Sequence, residues 1–149
     1  MRTPAPILLL AAFLGACASP LPEHDPKMAW VELYTTPANS LLAERLDGKT
    51  LRDGRYFQVS PGKHNLLVRF RYELSGGGGG GGRMGMGDGG GGTERTCLVS
   101  VTYDEFAAGQ RYRLELRPQL QSALALLTDQ SGRLVAKTDF QGPVDCLIF

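Results

Sequence analysis

From Ala29 onward, apolar and polar side chains alternate with a period of two rather than 3.6, the mark of strands with one buried face. The clearest run is HNLLVRFRYEL, His64 to Leu74. Leu66, Val68, Phe70, Tyr72 and Leu74 share one face, while Leu67, Arg69, Arg71 and Glu73 share the other. The pattern predicts a core-facing side and a wet side. TCLVSVTY repeats it, with Cys97, Val99, Val101 and Tyr103 together. So does QRYRLELRP, where Tyr112, Leu114 and Leu116 oppose Arg111, Arg113, Glu115 and Arg117. Pro118 has no N–H to give a ladder and ends that strand.

Turn chemistry separates these runs. Asp47-Gly48 lies between short apolar stretches and predicts a hairpin. Pro61-Gly62, after the strand-like RYFQV, has the residues of a type II turn. A turn spans Asp104 to Gly109, and DQSG joins SALALLT to RLVAKT in a further hairpin. LLAERL (Leu41 to Leu46) is the one segment whose pattern also fits a helical turn, and VDCLIF closes the chain as a short apolar run. About seven or eight strands at spacings near ten residues define an all-β fold, a small antiparallel β-sandwich with a β-barrel as the alternative. Asp47 to Val68, DGK…V.PGKHNLLV, resembles the PEGA-type β modules of bacterial envelope proteins. CLVSVTYDEFAAGQRYRLEL is similar to the second half of small periplasmic lipoproteins that share this opening. The resemblance implies β architecture and an envelope location, and brings no catalytic residue with it.

Between the two longest alternating runs lies GGGGGGGRMGMGDGGGG, residues 76–92, holding thirteen of the chain's 20 glycines. It contains a formal GxGxxG, but a dinucleotide fingerprint opens a helix inside a βαβ unit, and nothing after Gly92 has a helical period. The Walker form is absent, and the calcium nonapeptide would need a second copy. Met84 and Met86 offer thioethers that suit Cu(I), yet two sulfurs do not make a site. The segment reads as a long flexible loop. Glycine loses the most backbone freedom on ordering, and doubling such a loop costs only about 0.6 kcal/mol.

The amino end changes the setting of this domain. Arg2 is followed by an apolar run from Ile7 to Leu14, which is short of the roughly 20 residues that span a bilayer and has the layout of a secretory signal. Leu14-Gly15-Ala16-Cys17 resembles the lipobox of bacterial lipoproteins. That likeness implies removal of residues 1–16 and acylation of Cys17 with three chains, where about two already give stable anchoring. The absence of an aspartate after Cys17 implies the outer membrane, with the protein facing the periplasm. Residues 17–28 then read as an extended tether rich in proline, and 29–149 as the folded domain.

Loss of Arg2 leaves 15 basic residues against 15 acidic ones, with no block of like charge, which excludes a phosphate-neutralising nucleic-acid binder. Cys97 and Cys146 remain; in an oxidising periplasm they are expected to pair, and no CxxC accompanies either as a metal or redox site would require. No cofactor or metal site is expected.

Catalysis lacks parts at this level. The histidines are His24, in the tether, and His64, which reads as a turn or rim residue; Asp104 and Glu105 read as solvated turn residues. The leading expectation is a non-enzymatic lipoprotein whose β domain binds another envelope component, a protein or the peptidoglycan. Arg69, Arg71, Arg111, Arg113 and Arg117 all point outward and would form a strip for carboxylates or anionic glycans if their strands were neighbours. The alternative is a small-ligand or carbohydrate-binding domain, with Trp30, Tyr34 and Tyr56 supplying aromatic surface or core packing.

Overall fold

The structure, a computed structural model, describes residues 19–74, 93–139 and 142–148. Residues 1–16, Cys17 and the glycine-rich run 76–92 lie outside the described residues.

The alternation produces two five-stranded sheets packed face to face. The first is built from β1 (Ala29–Thr35), β4 (Tyr56–Val59), β7 (Arg111–Pro118), β8 (Ala123–Asp129) and β9 (Leu134–Thr138), in the order β4-β1-β7-β8-β9. The second contains β2 (Ser40–Leu46), β3 (Lys49–Thr50), β5 (Gly62–Leu74), β6 (Thr93–Phe106) and β10 (Val144–Ile148), in the order β10-β6-β5-β2-β3. This is a small β-sandwich. Two sheets with distinct strand sets decide against a single closed barrel. Leu41 to Leu46, where a helical turn also fitted, is strand β2, with a bulge between Ala43 and Arg45.

The predicted faces are the observed ones. Leu66, Val68, Phe70 and Tyr72 from β5 meet Val31, Phe57, Leu114, Leu116 and Leu127 from the first sheet in one continuous core. Full burial of each such aliphatic or aromatic side chain contributes about 1.5–3 kcal/mol before the cost of chain ordering. The same alternation that puts Cys97 and Val99 inside also puts Arg95 inside, and its Nε has no hydrogen-bond partner among the described residues. The Tyr72 hydroxyl reaches the carbonyls of Gln119 and Ser122, both at 2.8 Å, tying the end of β5 to the β7–β8 loop.

The topology departs from a purely antiparallel sandwich at one pair. β1 runs parallel to β7, with Val31 opposite Tyr112 and Leu33 opposite Leu114. A parallel pair cannot be closed by a hairpin. The chain reaches β7 only after crossing to the second sheet and back twice, laying down β4 in between. The Asp47-Gly48 hairpin forms as predicted, with φ of 49° and 79°, the left-handed backbone of its turn class. Pro61-Gly62 also turns the chain, with Gly62 at φ 112°, but it carries the chain from β4 in one sheet to β5 in the other.

β10 lies at the edge of the second sheet, and its Cys146 stands directly opposite Cys97 of β6. The two are joined by a disulfide, as expected, across 49 residues of chain.

Candidate functional site

The outer face of the first sheet is assembled by register. Trp30 stands between Gln58 and Arg111, Glu32 between Tyr56 and Arg113, and Tyr34 beside Glu115. The Trp30 and Tyr56 rings stack at 4.3 Å and 7°. The Arg113 guanidinium sits 4.8 Å from the centre of the Tyr34 ring, within cation–π range. Arg111 reaches Glu32 at 3.4 Å, and Arg117 donates to Glu115 at 2.7 Å. That hydrogen bond holds the Arg117 guanidinium above its ordinary pKa.

Residues read as tether complete this face. Arg55 donates to the Ser19 carbonyl at 2.7 Å while its remaining nitrogens grip Asp53. Leu21 and Pro22 line one side of the groove, and the His24 ring lies 6.0 Å from Trp30. His24 is fixed in turn by the Met28 carbonyl at 2.8 Å. Trp30, although it points away from the core, is therefore only 5% exposed. The groove, about 410 Å³, is walled by Trp30, Tyr34, Tyr56, Arg55, Arg111 and Arg113. A second hollow of about 300 Å³, beside Thr128 and Asp129, shares Glu32, Arg111 and Arg113 with it.

The outer face of the second sheet is different in kind. Arg69 donates to Glu44 at 2.7 Å, and Arg71 pairs with Glu94. Thr96, Leu98, Asp145 and Leu147 complete a shallow hollow of about 550 Å³ around these two arginines.

The five arginines therefore do not form one strip. Arg69 and Arg71 belong to β5, and Arg111, Arg113 and Arg117 to β7, on the two opposite outer faces of the sandwich. Alternation fixes which way a side chain points, but pairing between distant strands depends on crossings that the period does not record. Of the aromatic candidates, Trp30 and Tyr56 are packed against one another and Tyr34 remains open to solvent.

A third grouping had no counterpart in the sequence reading. At the turn end of the molecule, Asp47 Oδ2 lies 2.6 Å from His64 Nδ1, and His64 Nε2 lies 3.0 Å from Ser60 Oγ. Asp47 Oδ1 accepts from the Asn65 backbone N–H at 2.8 Å. That N–H first, and the His64 contact second, hold the Asp47 carboxyl below its usual range. The local signals were present, Asp before the hairpin glycine and Ser and His flanking Pro61-Gly62. Their meeting depends on β2 pairing with β5, which places Leu46 opposite Leu66.

Among the described residues, no group of three or more His, Cys, Asp and Glu side chains is placed to hold a metal ion. No protein-family model, no curated protein and no solved structure matches the chain.

Proposed function

We propose that the chain is a non-enzymatic lipoprotein of the bacterial outer membrane, whose β-sandwich binds another envelope component, a protein or a cell-wall glycan, through the outer face of its first sheet. The Cys17 lipobox supports the anchoring half of this reading. The observation that carries the binding half is Arg113. No carboxylate pairs with it among the described residues, and it is held over Tyr34 at the mouth of the groove, beside Arg111, whose own contact with Glu32 is long. Guanidinium groups in that position suit carboxylates, which they take in bidentate fashion. The arginines of the opposite face are already committed to Glu44 and Glu94.

The test is retention of the purified domain on peptidoglycan and on crosslinked envelope extract. An Arg111→Ala/Arg113→Ala variant is expected to lose about tenfold or more in retention, the value of one charged hydrogen-bonded contact. Arg69→Ala/Arg71→Ala is expected to change it little. The reverse ranking, or no loss in either variant, would remove the first sheet from consideration. Intact mass of the membrane-extracted protein tests acylation of Cys17 independently; an unmodified thiol there would end the anchoring assignment.

A second reading, a small carbohydrate ligand lying in the groove, is favoured by the exposed Tyr34 ring beside the Trp30–Tyr56 stack. Because Trp30 forms a wall of that groove, its fluorescence would respond to a small soluble glycan on this reading and stay flat if the face takes a protein instead.

A further inference from the structure

The Asp47–His64–Ser60 cluster has the connectivity of a nucleophilic relay: carboxylate to imidazole Nδ1, imidazole Nε2 to hydroxyl. In the neutral imidazole, Asp47 on Nδ1 favours the tautomer with the proton there, which leaves the Nε2 lone pair facing the Ser60 hydroxyl. The carboxylate is itself fixed by the Asn65 N–H, and the imidazole is mostly buried, 13% exposed, 6.1 Å from the Phe106 ring. Orientation is thus supplied at both ends, while Ser60 stands open to solvent.

We infer that Ser60 is a base-activated nucleophile that accepts an acyl group from an activated ester. Its oxygen forms a bond to the acyl carbon, its proton passes to His64 Nε2, and the ester C–O bond breaks. The departing alkoxide then takes the proton from the imidazolium. The residue after the nucleophile is Pro61, which has no N–H to offer the tetrahedral oxyanion. One missing oxyanion donor costs about 10²–10³ in the rate of each step. Acylation expels an activated leaving group whereas release must expel the poorer serine alkoxide, so acyl transfer to Ser60 outpaces its release and the group stays attached. The site is a covalent acceptor more than a turnover enzyme. It is independent of the groove and of the membrane anchor.

The molecule holds its own control. The Ser131 hydroxyl donates to Asp129 at 2.6 Å, a serine on a carboxylate with no imidazole between them. The full chain is treated with 4-nitrophenyl acetate, and acetylation is followed by peptide mass spectrometry. Ser60 is expected to be acetylated at least about tenfold faster than Ser131, a modest share of what a positioned base supplies. In His64→Gln, which keeps an amide donor for Asp47 but no base, Ser60 is expected to fall to the rate of Ser131. Equal rates for the two serines in the unaltered protein would overturn the inference, a comparison that needs no variant to fold. So would an unchanged Ser60 rate in a folded His64→Gln protein, which would leave the cluster as a clasp between two turns.

Discussion

The two outer faces of the sandwich carry outward-pointing arginines on strands of the same alternating pattern, and the structure uses them in opposite ways. On β5, Arg69 and Arg71 are each closed by a glutamate from a neighbouring strand, and the ground beside them is bare, with Leu147 53% exposed. On β7, Arg113 lies over an aromatic ring and Arg111 is loosely held, while the neighbouring Trp30 is roofed by Tyr56 and the 19–26 segment. One face has its charges spent within the sheet. The other has built a covered wall and left charge at its edge. Pointing outward and being available to a partner are separate properties, and only the second bears on function.

The faces also differ in how their sheets are held, which gives the largest expected effect. The second sheet ends in β10, whose pairing with β6 is stapled at Cys97–Cys146; among the described residues the first sheet has no covalent tie. Closing a loop of this length stabilises the fold by roughly 4 kcal/mol in the chain-entropy account. Thermal unfolding of Cys97→Ser/Cys146→Ser should show a loss of about that size. A loss under about 1 kcal/mol would mean that packing of β10 suffices and that the covalent asymmetry between the sheets is energetically idle.

Next in size is the contrast between two outward residues. Trp30→Ala should destabilise by about 3 kcal/mol, the low end for removing a buried aromatic, because the 19–26 segment and Tyr56 lose the ring they cover. Leu147→Ser should stay within about 0.5 kcal/mol, as exposed substitutions do. Denaturant midpoints compare the two directly. Similar costs would show that the first face is no better covered than the second.

How much of this was legible follows the same division. Period two identified the strands, their inward faces and the all-β class, because burial of Leu66, Val68 and Phe70 is a local consequence of chain geometry. The Asp47-Gly48 turn was legible for the same reason. The parallel β1–β7 pair, the separation of the arginines and the covering of Trp30 were not, since each depends on which sheet the chain enters after a crossing. Ser19 to Pro26 reads as a tether because its prolines forbid a helix. Nothing in that composition says that Leu21 and Pro22 would line the same groove as Trp30. The Asp47–His64 contact joins residues 17 apart from two different turns, and a reading of each turn alone passes it by.

That contact supplies the smallest effect, and it concerns the crossing between the sheets. Asp47 closes the β2–β3 hairpin of the second sheet and grips His64, just beyond the Pro61-Gly62 turn that brings the chain over from the first. Its folded pKa is depressed below 3.8, chiefly by the Asn65 N–H, so the carboxylate stabilises the fold at pH values above the unfolded value. That contribution is lost as pH falls through the lower folded pKa. Asp129 and Asp53 are depressed as well, by Ser131 and Arg55 respectively, and share in any acid loss. The informative quantity is therefore the difference between the unaltered protein and Asp47→Asn, measured by thermal unfolding from pH 7 down to pH 2. The Asp47 side chain is 45% exposed, so solvent and salt screen its interactions and the gap should be small. It should nevertheless shrink below about pH 4, as the Asp47 carboxyl protonates and both proteins come to carry an uncharged side chain there. A gap that held constant to pH 2 would mean that the carboxylate's charge contributes nothing at this crossing, leaving the shared core to hold the second sheet against the first.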